Sequence, residues 1–290
     1  MSVSNKAKQR GEILDEIMRY HRRQLPKIMR DVPLQDVRAF AQTAPPPVDL
    51  AQVLSGQGVS LIAECKKASP SKGLLVRDYD AVALAKSYIR AGASAISVLT
   101  DARHFQGSLQ DLRDVREATL AQRARRAEAQ SPKSGKPVPI LRKDFIFHPY
   151  QVYESRAAGA DALLLIASVL GSGDLASLLE VTHDLGMNAL VEVHTEAELE
   201  RVLALEPRIV GINNRNLQTF EVDFENTARL RRKIPPGVVV VAESGIKNKD
   251  DVRSLTEIGV DAILVGEALV RSKDVYEAAK ELVRAGRKSE

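Results

Sequence analysis

The sequence has no tryptophan, a single cysteine and few aromatic side chains. Because Cys65 is the lone cysteine, no internal disulfide can form, which favours a reducing compartment such as the cytoplasm. Aromatic residues make up only 4% of the chain, too few for the stacking platforms of proteins that bind single-stranded nucleic acid. The function is therefore expected to use neither disulfides nor base stacking.

Long apolar runs are also missing. The longest, at residues 162–170, is about half the length of the roughly 20 residues that a membrane-spanning helix needs. The first residues are rich in charge and contain no apolar core of a secretory signal. We therefore expect no membrane partner and no secretion.

What the chain does contain is a repeated unit. With 290 residues, 44% hydrophobic and 28% charged, it is typical of a globular protein with a large core. Four segments share a helix-like stretch, a glycine and a short apolar run, at residues 91–100, 158–167, 185–194 and 258–267. Each glycine stands where a helix ends and the chain turns with positive φ. Four further apolar runs, at 59–64, 138–141, 209–213 and 238–242, bring the predicted strands to eight.

Amphipathic helical patterns lie between these strands. Strict alternation implies parallel strands with helical crossovers, and eight units of about 30 residues favour a (β/α)8 barrel. A doubly wound open sheet is the alternative, but its glycine-rich phosphate turn is missing after the first strand. Residues 1–48 form a predicted helical extension that ends at the prolines of 45–47, residues 49–290 form the barrel, and 121–137 form a basic insertion.

Polar residues follow five of the predicted strands, and a glycine follows the eighth. In a barrel these positions converge on one pocket. The residues are Glu64, Lys66, Lys143, Asp144, Glu192, Asn213, Arg215, Glu243, Ser244 and Gly266. Side chains alternate along a strand, so Glu64 and Lys66 should share a face while Cys65 points to the other. Lysines beside glutamates in one pocket would give an ammonium acid and a carboxylate base; structural ion pairs at the barrel mouth are the alternative.

The last two strands predict a phosphate site. Gly245 in AESGI (242–246) and Gly266 in LVGEAL (264–269) directly follow apolar runs, and would let the backbone approach an anion closely. Ser69 in the first loop could add a hydroxyl donor. A tight turn between strand and helix would explain the same glycines.

Other chemistries find little support. The five histidines, His21, His104, His148, His183 and His194, show no paired metal-ligand spacing, so no metal site is expected. Cys65 has no histidine at motif spacing and is expected to serve packing. The sequence has neither a G-x-S-x-G motif nor a P-loop.

Six segments of the chain form a recognisable set: IAECKKASPSKG (62–73), ILRKDFIFHPYQVYESRAAGADALLLI (140–166), LVEVH (190–194), GINNRNL (211–217), AESGI (242–246) and ILVGEAL (263–269). Together they resemble the matching segments of the indole-3-glycerol phosphate synthase family. The resemblance implies a (β/α)8 barrel whose N-terminal extension covers the active site. It also implies ring closure of 1-(2-carboxyphenylamino)-1-deoxyribulose 5-phosphate to indole-3-glycerol phosphate, with loss of carbon dioxide and water and without a cofactor.

The resemblance also implies roles for individual residues. Lys143 looks like the general acid at the substrate ketone, and Lys66 like the lysine that binds the substrate carboxylate and helps expel hydroxide. Glu192 resembles the base or charge stabiliser near the anthranilate nitrogen, supported by Glu64. The remaining matches are Asn213 and Arg215 for orienting polar groups, Glu243 and Ser244 for lining the pocket, Phe105 for substrate contact, and Ser69, Gly245, Gly266 and Glu267 for phosphate.

Two other functions remain open at this point. A phosphosugar isomerase or a Schiff-base lyase on the same barrel would also place lysines at strand ends. A protein that binds nucleic acid through the basic insertion is a different class, although the expected partner is a small phosphorylated molecule and not nucleic acid. The oligomeric state is not predicted.

Overall fold

The computed structural model describes residues 3–128, 138–215 and 223–287, with side chains from residue 13 to 121 and throughout the two later ranges. Eight parallel strands form a closed barrel in which each strand pairs with its neighbours in chain order and the eighth pairs with the first. The strands are β1 (Ser60–Cys65), β2 (Ala95–Leu99), β3 (Ile140–Lys143), β4 (Ala162–Ile166), β5 (Asn188–Val193), β6 (Ile209–Asn213), β7 (Val239–Glu243) and β8 (Ala262–Val265). The predicted barrel is confirmed, and the open sheet is excluded.

Helices surround the barrel. Those in the described residues are α1 (Val3–Asp31), α2 (Leu34–Thr43), α3 (Leu50–Leu54), α4 (Ala81–Ala91), α5 (Leu109–Glu128), α6 (Pro149–Ala157), α7 (Ser172–Asp184), α8 (Glu196–Leu203), α9 (Phe224–Arg231), α10 (Lys249–Ile258), α11 (Glu267–Val270) and α12 (Val275–Ala285). None of them is long and apolar enough to cross a membrane. Of the predicted basic insertion, residues up to 128 continue α5, and 129–137 lie outside the described residues.

The repeated glycines have the backbone conformation that their position requires. Gly92, Gly159, Gly186 and Gly259 have φ of +103°, +91°, +70° and +85°. A side chain at such φ is strained, so glycine ends these helices at little cost and lets the chain turn directly into the next strand. The predicted turn chemistry is confirmed at all four positions.

A short helix closes the amino end of the barrel. Leu50 and Leu54 of α3 are fully buried and pack on the apolar side chains of the barrel interior. The side-chain oxygen of Asn188, at the start of β5, accepts hydrogen bonds from the backbone N–H of Leu50 at 2.6 Å and of Ala51 at 3.3 Å. These bonds satisfy donors of the first turn that burial would otherwise leave unpaired.

The N-terminal helices run along one side of the barrel. The Tyr150 hydroxyl on α6 donates to the Val32 carbonyl at 3.0 Å, and the Arg156 guanidinium donates to the Pro45 carbonyl. At the other end of this segment, Ile13 and Ile17 of α1 reach the cavity at the carboxyl ends of the strands. The chain before β1 therefore contacts both ends of the barrel.

Candidate active site

Two adjoining cavities, of about 190 and 110 Å³, lie at the carboxyl ends of the strands. The first is lined by eleven of the residues singled out from the sequence: Glu64, Lys66, Ser69, Phe105, Lys143, Asp144, Glu192, Asn213, Arg215, Ser244 and Glu267. The second shares several of these and adds Glu243, Gly245 and Gly266. All the candidate residues therefore meet in one place, as expected for side chains at strand ends in a barrel.

Lys143 occupies the centre of this charged group. Its Nζ lies 3.4 Å from a carboxylate oxygen of Glu192 and 3.4 Å from one of Glu243. Burial alone would lower the pKa of Lys143, but the negative charges of Glu243, Glu192 and Glu64 raise it well above its ordinary value. The lysine is therefore held as an ammonium ion.

The two carboxylates that flank Lys143 differ in pKa. Burial works against ionisation of Glu192, yet Lys143, His194 and a hydrogen bond from Asn213 lower its pKa. In Glu243, burial dominates and raises the pKa to about 7, while Lys143 offsets only part of the effect. One Glu243 oxygen, Oε1, is buried without a hydrogen bond among the described residues. At neutral pH, Glu192 is therefore ionised, whereas Glu243 is close to half-protonated.

The first strand places its side chains as the alternation predicts. Glu64 and Lys66 face the cavity, with Nζ of Lys66 3.1 Å from Oε1 of Glu64. Cys65 points outward into the helix layer, where its thiol donates to the Ala81 carbonyl at 3.6 Å. Burial raises the pKa of this thiol, so it stays protonated and serves packing.

Gly266 leaves room for Glu64. A Cβ built at Gly266 would overlap Oε1 of Glu64 and lie 3.0 Å from its Cβ. The sequence singled out Gly266 only for close approach to an anion, whereas the structure shows that it also packs against a charged side chain of the site. Any larger residue there would displace Glu64.

The loops around the second cavity have special backbone geometry. Ser244 and Gly245 both have positive φ, of +66° and +84°, in the turn after β7. In the loop after β1, which lines the first cavity, Ala68–Ser69 and Gly73–Leu74 form a short antiparallel hairpin that the sequence patterns did not predict. The Ser69 hydroxyl within it is buried and has no hydrogen-bond partner among the described residues.

Sequence reasoning missed a cluster at the end of β2. Nε2 of His21 on α1 lies 2.7 Å from Oδ2 of Asp101, and Nδ1 of His104 lies 3.1 Å from the same oxygen. Burial raises the pKa of Asp101, but these contacts and the backbone amides of His104 and Phe105 lower it to about 2. An ionised carboxylate only accepts hydrogen bonds, so both rings donate to it and α1 is tied to the barrel.

Spacing could not reveal this cluster, because His21 and Asp101 are 80 residues apart. One ring nitrogen from each histidine and one carboxylate oxygen of Asp101 lie within 4.8 Å of one another, and atoms of these types can bind a metal ion. The expected absence of a metal rested on spacing alone and stays a prediction.

Phe145 was also missed by the sequence analysis. Its aromatic ring centroid lies 6.3 Å from that of Phe105 and 5.5 Å from that of His21.

Comparison with known proteins places these features in a family. Residues 14–282 match the family model of indole-3-glycerol phosphate synthase. An indole-3-glycerol phosphate synthase of Dehalococcoides mccartyi strain CBDB1 is 48% identical, covering 93% of this chain and 100% of its own length. One from Roseiflexus sp. strain RS-1 is 46% identical over 93% of this chain and 97% of its own. Among solved structures, thiamine phosphate pyrophosphorylase from Pyrococcus furiosus shares the fold, with a TM-score of 0.56 at 18% identity, covering 82% of this chain and 97% of its own.

The closed barrel and the acid–base side chains gathered at its mouth are typical of a (β/α)8-barrel enzyme. The chain belongs to the indole-3-glycerol phosphate synthase family of tryptophan biosynthesis, whose activity is that of a carboxy-lyase.

Proposed function

We propose that the chain converts 1-(2-carboxyphenylamino)-1-deoxyribulose 5-phosphate into indole-3-glycerol phosphate, with loss of carbon dioxide and water. The observation that carries this proposal is the partly buried ammonium of Lys143, held between two carboxylates in the cavity of a family member. The substrate carries a carboxylate and a phosphate, and its ring closure needs an acid beside a ketone.

The first step forms the new carbon–carbon bond. The ring carbon that bears the carboxylate attacks the ketone carbon, and the carbonyl electron pair moves onto oxygen. Lys143 is the proposed acid that protonates this oxygen, because its ammonium is central in the cavity. Lys66 would bind the substrate carboxylate, while the rings of Phe105 and Phe145 offer an apolar wall for the anthranilate ring. Holding the two carbons together is itself a large part of the rate enhancement.

The next steps restore the aromatic six-membered ring and complete the new five-membered ring of the indole. The bond to the carboxylate breaks, carbon dioxide leaves, and the electron pair returns to the six-membered ring. The hydroxyl then leaves as water with a proton from Lys66, while Glu192 accepts a proton from the carbon beside the nitrogen. Glu192 can return that proton to Lys143, which lies 3.4 Å away, and Lys66 regains its own from solvent. The net uptake of one proton matches the decarboxylation of a carboxylate.

The remaining side chains would hold the substrate. Asn213 and Arg215 lie together on the cavity wall, where the Arg215 backbone N–H donates to the Asn213 side chain at 3.0 Å, and we assign them to substrate hydroxyl and carboxylate groups. The proposed phosphate donors are the Ser69 hydroxyl and backbone amides at Gly245, Gly266 and Glu267. Glu64 supports Lys66, and Ser244 lines the wall.

The Schiff-base alternative fits this geometry less well. An imine-forming lysine must lose its proton before it can attack a carbonyl. The carboxylates around Lys143 raise its pKa and so oppose that loss. The side chains of the basic insertion lie outside the described residues, and nothing described favours nucleic acid as a partner. With its single cysteine buried, the protein suits a reducing compartment, and we propose the cytoplasm.

The test is direct turnover. Purified, chelator-treated protein is mixed with the proposed substrate, and indole fluorescence is followed. The chain contains no tryptophan, so the product signal is measured against a low protein background. A rise proportional to enzyme concentration is expected. No rise with a folded protein would contradict the proposed substrate, and borohydride trapping with phosphosugars would then test the imine chemistry.

A further inference from the structure

His194 lies directly behind Glu192 and lines neither cavity. Because side chains alternate along β5, residues 192 and 194 project to the same side while Val193 packs outward into the helix layer. Nε2 of His194 is 3.4 Å from Oε1 of Glu192. The other carboxylate oxygen of Glu192 lies 3.4 Å from Lys143. Glu192 thus lies between Lys143, which lines the cavity, and His194, which does not.

The first turn of α8 holds this histidine in place. Nδ1 of His194 is 3.6 Å from Oε2 of Glu198, and the His194 backbone N–H donates to the same oxygen at 2.7 Å. Thr195 caps α8 and fixes the start of the helix that carries Glu198. The Asn226 amide of α9 donates to the His194 carbonyl at 3.2 Å. Contacts from two helices therefore fix the residue that touches Glu192.

The charges around the pair favour an imidazolium. The ionisable groups that face His194 are Glu192 on its own strand, Glu198 on α8 and Glu243 on β7. Burial would lower the pKa of His194, but these three carboxylates raise it. Facing Glu192 are Lys143, His194 and the Asn213 amide, which stabilise its charge, and Glu243, which lies on the far side of Lys143.

The proposed reaction gives this second cation a task. When Lys143 passes its proton to the substrate, Glu192 loses one of its two positive neighbours just before it must accept a proton. We propose that His194, held as an imidazolium by Glu198, is a positioning residue that keeps Glu192 ionised and oriented while Lys143 is neutral. The inference rests on the proposed function and deepens it, because it makes His194, which lies outside the cavity, the residue that controls the charge of the base Glu192.

The experiment is a pH profile of kcat and kcat/KM for the wild type, His194→Gln, Glu198→Gln and a control, His183→Gln. His183 is an exposed histidine on α7 and touches no site residue. Without the imidazolium, the pKa of Glu192 rises, so the acid limb of His194→Gln should move up by about one pH unit. Activity on that limb should fall about tenfold and recover at higher pH. Glu198→Gln should move the limb in the same direction by less, and the control should match the wild type.

Two results would overturn the inference while leaving the proposed function intact. One is a His194→Gln profile that coincides with the wild type. The other is a loss of kcat by the same factor at every pH, which is the mark of a merely structural role.

A readout independent of turnover separates the two proposals. The imidazole proton that disappears from the NMR spectrum of His194→Gln should titrate in the wild type above the ordinary pKa of histidine, and at lower pH once Glu192 is replaced by Gln. If the wild type fails to make indole-3-glycerol phosphate, the proposed function fails, and this titration still decides the pairing. A His194 signal that titrates at or below the ordinary pKa of histidine would refute the pairing of His194 with Glu192.

Discussion

The two ends of the barrel are closed by opposite chemistry. At the amino end, Leu50 and Leu54 of α3 fill the interior, and Asn188 pairs the buried backbone donors. At the carboxyl end, Glu64, Glu192 and Glu243 are buried and Lys143 is partly buried, but these side chains are ionisable, and one oxygen of Glu243 has no hydrogen bond among the described residues. Burying apolar groups stabilises a fold, whereas burying charges costs free energy even when they are paired. The comparison teaches that the amino end of the barrel contributes to stability, whereas the carboxyl end holds the ionisable side chains of the candidate active site.

The strongest test of this division is Lys143→Met. The change removes the proposed acid, and general acid catalysis contributes about 10²- to 10⁴-fold, so kcat should fall by roughly 10³-fold. The fold should persist, because the barrel strands are held by other contacts. Steady-state fluorescence assays and circular dichroism measure the two quantities. Lys86→Met, at an exposed position on α4, is the matched control. Near-wild-type turnover by Lys143→Met would remove the role assigned to the lysine.

The amino end should show the reverse behaviour in Leu54→Ala. Leu54 is fully buried, so truncation leaves a cavity and should lower the free energy of unfolding by about 2–5 kcal/mol. At a temperature where the variant is folded, kcat should stay within about twofold of the wild type. Urea unfolding and turnover measure both, with the half-exposed Leu120→Ala as control. A large fall in kcat with unchanged stability would show that the two ends are not separate.

A smaller effect is expected from Gly266→Ala, which perturbs the mouth without removing a charge. The added methyl would overlap Glu64 and break its 3.1 Å contact with Lys66. We expect kcat/KM to fall about 10- to 30-fold, which corresponds to about 1.4–2 kcal/mol. Gly173→Ala is the matched control, because a Cβ there meets nothing within 4 Å. Equal activity of the two variants would mean that Glu64 does not depend on the glycine.

The local parts of both ends could be predicted from the sequence, and the long-range parts could not. Glycines at helix ends identified the strands because positive φ is a local requirement, and period two placed Glu64 and Lys66 on one face. The tie between His21 and Asp101 joins residues 80 positions apart, and no local pattern reports it. The closure of the amino end by α3 likewise depends on Asn188, far along the chain.

The pKa values at the mouth are a second feature that the sequence could not supply. Residue types indicate an acid and a base, yet Glu192 and Glu243 lie at equal distance from Lys143 and shift in opposite directions. His194 and Asn213 help to lower the pKa of Glu192, whereas burial and the charges of Glu192 and Glu64 raise the pKa of Glu243. Their positions follow from the closed barrel and the helix packing, not from spacing along the chain.

The smallest predicted effect concerns Glu243 and the pH dependence of stability. In the folded protein its pKa is about 7, raised by burial from 4.5. Between these values the folded state holds a proton that the unfolded state has lost, so stability falls as pH rises from about 5 to about 7. Glu243→Gln cannot ionise and should gain stability relative to the wild type by on the order of 1 kcal/mol for each pH unit across that range. Urea unfolding at several pH values measures the difference.

Leu54→Ala is the control: its loss of unfolding free energy relative to the wild type should stay constant over the same pH range, since no titrating group is removed at the amino end. If the difference in unfolding free energy between Glu243→Gln and the wild type did not change with pH, Glu243 would not be the buried group that titrates in this range. If the difference for Leu54→Ala did change with pH, the two ends of the barrel would be energetically coupled.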